Sequence, residues 1–401
     1  MSSTQGTPLT AAHYTRRWLP QTQTWLYNQV RYLPDTIESH VICERTENLD
    51  QFDIDNLHCL AEDAPWQYYR DVPLRFLGIR SRYPYTVEQV RESGAQLLHT
   101  HFGDYSWQTL EVSRQTGIRH VVTFYGNDVT SYPQQDEKWI RRYRTLFNHV
   151  DGILCEGPHM AQSVVDLGCP EEKVHVHHLG VPVNSIRFQP RTYEPDKPLR
   201  VLIAASFREK KGIPYAMEAL GRLQEEVPLE VTVIGGVAEV PILGNWSKSV
   251  SGSEAEKERI LSAIDEWGLD DQVRLMGYQP HDVLMEEAYE HHVFLQPSVT
   301  AQNGDGEGGA PVTLIEMSAT GMPIVSTEHC DIPSVVKHDE TGFLAPERDP
   351  DALARHLRRL VKAPNRWAEL GRAGRAHVEA EYNAQVQGQR LADRYREILD
   401  A

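Results

Sequence analysis

Short apolar runs alternate with longer stretches of mixed polarity along nearly the whole chain, a pattern that predicts strands and helices in turn. In the first half, strand-like runs fall at Leu9–Tyr14, His40–Cys43, Leu97–His101, His120–Phe124, Gly152–Cys155 and Val174–His177. In the second half they fall at Arg200–Ala205, Glu230–Ile234, Val273–Leu275, Val293–Leu295, Pro323–Ser326 and Gly342–Leu344. Helical patterns lie between them at Ile213–Val227, Glu254–Trp267 and Asp349–Leu360. A last helix, about Asn383–Leu399, places Val386, Leu391, Tyr395 and Ile398 near one face. Such alternation signals βαβ units and parallel sheets.

A chain of 401 residues exceeds one ordinary core and is expected to divide into two domains. The proline- and charge-rich segment Phe188–Pro198, FQPRTYEPDKP, marks the division. The expected fold is α/β, with two facing Rossmann-like domains over residues 1–190 and 191–380 and a C-terminal helix over 381–401. Ligands of such sheets bind beyond the carboxyl ends of the strands, so chemistry is expected in the cleft between the domains.

Composition narrows the function. A formal charge of −17 excludes non-specific nucleic-acid binding. No apolar run approaches the roughly 18 residues of a membrane span, and the N-terminus lacks the pattern of a signal peptide. Five scattered cysteines without a CxxC pattern fit reduced thiols. A cytoplasmic protein is expected.

Two loops of the second half are suited to anions. In Ser206–Pro214, SFREKKGIP, a strand is followed by Arg208, Lys210 and Lys211, then by Gly212 for a sharp turn and Pro214 for a helix start. Cations beside the free amides of a helix N-terminus make a phosphate site. The second loop, GDGEGGAPVTLIEM (Gly304–Met317), carries glycines that expose amides, Pro311 at a helix start and Glu316 more than one turn beyond it. A carboxylate there can accept hydrogen bonds from two ribose hydroxyls. The same stretch also spells GxGxxG at Gly304, Gly306 and Gly309, with Glu328 further on, as in an NAD-dependent oxidoreductase. That reading needs a tight strand–turn–helix, whereas a long loop follows Leu295, and Asp305 and Glu307 inside the run would repel a pyrophosphate.

The order SFREKKGIPYAMEAL, VTVIGG, VRLMGYQPHDVLMEEAYEHHVFLQPS, EGGAPVTLIEMSATGMPIVST, DIPSVVKHDETGFLAP resembles a family-4 glycosyltransferase of the GT-B fold. In the first half PQTQTWLYNQV, HTHFG (His99–Gly103), VVTFYGND (Val121–Asp128) and VDLGCPEEKVHVHHLGV (Val165–Val181) resemble the bacterial exopolysaccharide branch, that of colanic-acid and amylovoran transferases. The resemblance covers nearly the whole chain. It implies a retaining, metal-independent hexosyltransferase that uses a UDP-sugar or GDP-sugar and no further cofactor. The second domain would hold the donor, and the first would take a glycan, lipid-linked or small-molecule acceptor.

By position, the resemblance implies that Arg208 and Lys211 neutralise the diphosphate and that Glu316 holds the ribose. Gly309, Ala310, Pro311, Val312 and Thr313 would contact donor sugar or phosphate, Gly277 and Tyr278 the base, and His101 the donor sugar or acceptor. Ser206 stands where the family carries a phosphate-binding arginine, so Arg208 is the substitute. Glu307 and Glu316 are one residue further apart than the family's glutamate pair. Gly308 takes the first glutamate's place, so Glu307 reaches the sugar through a one-residue bulge or not at all. Tyr125 replaces the histidine of many relatives, leaving His101 as the first-domain histidine. These departures also raise a second reading, a GT-B protein that binds or scaffolds without transferring.

His175 and His177 share a strand face, but no acidic partner lies nearby, so no metal site is expected there. Arg70–Arg82 and Lys138–Arg144 interleave cations with aromatic and apolar residues, a pattern that can dock on anionic membrane at its inner face.

Overall fold

The computed structural model describes residues 8–20, 23–50, 52–76, 83–237 and 247–401. The chain divides into two compact units: Met1–Pro182 with Glu381–Ala401, and Val183–Ala380. The second begins before the proline-rich segment because Phe188–Arg191 already packs there. Gln189 donates its amide to the Thr320 carbonyl, and the Arg191 guanidinium bonds the carbonyls of Ala288 and His291.

The first unit is built on strands β1 (Leu9–Trp18), β2 (Ile37–Thr46), β3 (Leu57–Cys59), β4 (Leu97–His101), β5 (Arg119–Phe124), β6 (Gly152–Cys155) and β7 (Val174–Val176). They form a seven-stranded sheet in the order β3-β2-β1-β4-β5-β6-β7, and every pairing is parallel. β3 is absent from the sequence reading: LHC is too short to show a period, and its pairing with β2 defines it. The Ala384–Asp400 helix joins this unit. Its Leu391, Ala392, Tyr395 and Ile398 pack against Ala11, Leu97, Val121 and Leu154. Full burial of one such leucine contributes about 1.5–3 kcal/mol.

The second unit contains β8 (Leu199–Ala204), β9 (Leu229–Ile234), β10 (Val273–Gly277), β11 (Val293–Gln296), β12 (Ile324–Thr327) and β13 (Gly342–Ala345). Their order, β10-β9-β8-β11-β12-β13, is that of a parallel sheet. The central strands β8 and β11 read as continuous apolar runs because helices cover both faces. The strand order reverses between β8 and β11, which places a switch point at their carboxyl ends. Both phosphate-type loops start there.

Candidate functional site

In the second unit the loop after β8 and the glycine-rich loop after β11 are laced together. Gly212, at φ +64, is required by close approach: a Cβ there would lie 1.9 Å from the Pro297 carbonyl oxygen. Val299 donates its amide to the Lys210 carbonyl at 2.8 Å. The buried Lys210 Nζ donates to Asp305 Oδ1 at 3.2 Å and to the Gly306 carbonyl at 2.8 Å. Arg208 reaches Asp305 Oδ2 at 2.9 Å, and Lys211 reaches Glu307 Oε2 at 2.9 Å. The two carboxylates that appear hostile to phosphate in the sequence are therefore neutralised by three cations, which leaves one net positive charge. Accessibility separates the cations: the Arg208 side chain is 39% exposed, Lys211 16% and Lys210 8%.

The Glu307 side chain is 6% exposed and lies among the loop's own groups. Ser298 Oγ donates to its Oε1 at 2.8 Å, Lys211 sits 2.8 Å from the same oxygen, and Lys210 lies 3.9 Å from Oε2. Burial raises the carboxyl, but Lys211 and Lys210 outweigh it and hold it at about 2. Both oxygens of Glu307 are thus engaged, and it forms an ion pair with Lys211. Its own amide donates to His329 Nε2 at 3.0 Å, so His329 donates through Nδ1 to Glu347 at 2.6 Å.

The GxGxxG reading also fails on geometry. Gly304, Gly306 and Gly309 lie in the connection between β11 and the Val312–Thr320 helix, not in a tight strand-to-helix turn. Pro311 is the N-cap of that helix, and Ala310, Pro311, Val312 and Thr313 are half-buried at its start. Thr313 Oγ1 donates to Gln296 Oε1 at 2.9 Å, anchoring the helix to the end of β11. Glu316, 7% exposed, accepts a hydrogen bond from His281 Nε2 at 2.9 Å. β10 ends at Gly277, φ +71, and Tyr278 follows with its ring over Gly236. Burial raises the Tyr278 phenol, while the Arg208 charge and the Ser206 hydroxyl draw it down. Ser206, Arg208, Lys211, Tyr278, the helix start and Glu316 thus share the carboxyl edge of one sheet. His281, Ser298 and Asp305 are additions that sequence spacing did not suggest.

In the first unit, His101 is fully buried and touches no surface. Its Nδ1 lies 2.7 Å from the Tyr125 hydroxyl, and its Nε2 lies 3.3 Å from His13 Nδ1. Tyr125 donates to Gln29 Oε1 at 3.0 Å, so its oxygen accepts from His101 Nδ1–H and His101 Nε2 accepts from His13. His101 lies behind Tyr125, whose ring also packs on Trp25 with centroids 4.1 Å apart. His13, His99 and His101 have ligand atoms within 4.8 Å of one another, the one such group among the described residues. His99 is bonded on both nitrogens, to Tyr395 and Thr123, at 2.6 Å each. Burial, then His40, lowers His13 to about 3, so this chain of imidazoles is neutral.

Beside it, Asp128 accepts amides from Gly103, Tyr125 and Gly126, tying the turns after β4 and β5 together. Burial raises Asp104 to about 7 despite Arg16, with Asp128 adding to the rise. The basic segment is less uniform than the sequence suggests. Arg75 is buried against Glu44 and the Tyr83 ring, and Arg80 and Arg82 lie outside the described residues. Trp66 and Tyr69 are 88% and 69% exposed. No helix among the described residues is long and apolar enough to cross a membrane.

Comparison with known proteins agrees with this construction. The family described as "Glycosyltransferase Family 4" matches residues 22–185, and "Glycosyl transferases group 1" matches residues 185–377. The amylovoran biosynthesis glycosyltransferase AmsK of Erwinia amylovora is 32% identical over 75% of this chain and 69% of its own length. WcaL of Escherichia coli, named for colanic acid biosynthesis, is 32% identical over 74% of this chain and 70% of its own. The solved structure of Anabaena HepE in complex with UDP-glucose superposes with a TM-score of 0.73 at 14% identity, covering 97% of this chain and 100% of HepE, a likeness of fold. Two family matches running together from residue 22 to residue 377, with relatives shared across most of their length, make this chain a family-4 glycosyltransferase built on two Rossmann-like units.

Proposed function

We propose that the enzyme transfers a hexose from a UDP- or GDP-sugar to a glycan or lipid-linked acceptor in the assembly of a surface polysaccharide, with retention and without a metal. The observation that carries this reading is the carboxyl edge of the second sheet, where Arg208 and Lys211 pair with the glycine-rich loop that leads into the Val312–Thr320 helix and Glu316 lies on that helix. As the bond between anomeric carbon and phosphate oxygen breaks, negative charge grows on the departing nucleotide. Fixed cations and helix amides stabilise that charge without reorganising. Arg208, the most exposed cation, exchanges Asp305 for phosphate, while Lys210 stays behind to hold the loop. The acceptor hydroxyl attacks from the face that the phosphate leaves, and its proton passes to a phosphate oxygen.

The names of AmsK and WcaL support a polysaccharide acceptor, and the HepE complex supports a UDP-sugar. The first unit takes the acceptor in this reading. The enzyme works in the cytoplasm at the inner face of the membrane. There Arg70, Trp66, Tyr69 and the Lys138–Phe147 helix meet anionic lipid. Isothermal titration with UDP, GDP, ADP and NAD tests the core of this reading. Binding of UDP or GDP, with slow hydrolysis of the matching nucleotide-sugar, is expected; binding of NAD alone refutes it.

A further inference from the structure

We infer that His281 is a positioning residue for donor recognition: it orients the Glu316 carboxylate so that the remaining oxygen lone pairs face the ribose hydroxyls. This rests on the donor-site reading above.

The observations are local to the second unit. Pro280 caps the His281–Glu290 helix, so His281 occupies its first position, and the helix packs beside Val312–Thr320. The imidazole is 53% exposed as a side chain, yet its Nε2 is pinned 2.9 Å from Oε1 of a carboxylate that is only 9% exposed. A nearly buried carboxylate needs partners, and among the described residues Glu316 has no other hydrogen-bond partner. One bond from His281 fixes its rotation, while Oε2 remains for a diol. The connection that begins at Gly277 and Tyr278 ends at His281. The segment that carries Tyr278 therefore also carries the group that orients Glu316.

Glu316 raises His281 through its hydrogen bond; burial opposes this, and the Glu316 and Asp282 charges add to the rise. These are the charged groups that face the ring. The cationic imidazole makes the stronger, charge-assisted bond, so the clamp tightens below the raised His281 value and loosens above it.

The test measures dissociation constants of UDP and GDP by titration calorimetry for the full-length enzyme and its variants, from about pH 6 to about pH 9. His281→Ala is expected to weaken binding about tenfold, raising KM with kcat changed less than about twofold, and to lower the preference for UDP over 2′-deoxy-UDP. His281→Gln, which keeps an N–H near Nε2, restores affinity but loses the pH dependence that wild type shows relative to it. Wild-type affinity in His281→Ala, or failure of His281→Gln to restore it, overturns the inference. Glu316→Ala separates the two levels. If it binds UDP and GDP as wild type does, the donor reading at Glu316 fails and takes this inference with it. If it weakens binding while His281→Ala does not, only the role of His281 falls.

Discussion

Glu307 is a carboxylate whose charge is held inside the protein by two lysines, and this makes the donor-side loop acid-sensitive in a definite direction. Its folded value of about 2 lies below the ordinary 4.5. The pair therefore contributes stability above about pH 4.5 that is lost as the pH falls toward about 2, up to about 3 kcal/mol. Urea unfolding of wild type at about pH 6 and about pH 3 should show about 2 kcal/mol of this loss, and Glu307→Gln should lack it. Lys211→Ala and Glu316→Ala should each weaken nucleoside diphosphate binding by about 1–3 kcal/mol, measured by calorimetry at neutral pH. Unchanged affinity in both variants would falsify the assignment of the donor site. At this scale the sequence offered Arg208, Lys211 and Glu316 as residue types suited to a nucleotide, and the structure sets them along one sheet edge. It did not show that Glu307 pairs with Lys211 or that His101 is buried. Residue type states what a side chain can do, but not whether a neighbour has already claimed it.

At the scale of elements, the loops after β8 and β11 behave as one body because backbone meets backbone. Gly212→Ala forces a Cβ against the Pro297 carbonyl at a left-handed φ of +64, and should lower stability by about 2–3 kcal/mol while weakening donor binding. Gly94→Ala is the control. Its φ is +66, but nothing lies within 4 Å, so only the backbone term of about 1 kcal/mol is expected. Thermal melts of both variants decide whether close approach or φ alone matters. Element existence was legible from periodicity, since every expected strand is present within a residue or two at each end, save β1 and β2, which run several residues longer. The short β3 was not, because three residues carry no period.

At the scale of the whole molecule, the last helix belongs to the first unit although almost two hundred residues of the second intervene. Gly388 permits this: a Cβ there would stand 1.9 Å from the Tyr32 carbonyl. Removal of Glu381–Ala401 uncovers Ala11, Leu97, Val121 and Leu154 and deprives His99 of Tyr395. Hydrogen exchange should then show lost protection in β1, β4, β5 and β6, with β8 to β13 unchanged. Uniform loss over both sheets would contradict the division into units.

Periodicity, turn chemistry and the order of motifs were sufficient for two parallel α/β sheets and for the family, because these depend on local preference and on spacing along the chain. The partners of each charged group were not contained there. Asp305 with Arg208 and Lys210, Glu307 with Lys211, His281 with Glu316, and Tyr125 in front of His101 are pairs between distant segments. Only folding brings those segments within a few ångströms, where burial and Coulomb attraction set which carboxylate is a counter-ion and which remains open to a ligand.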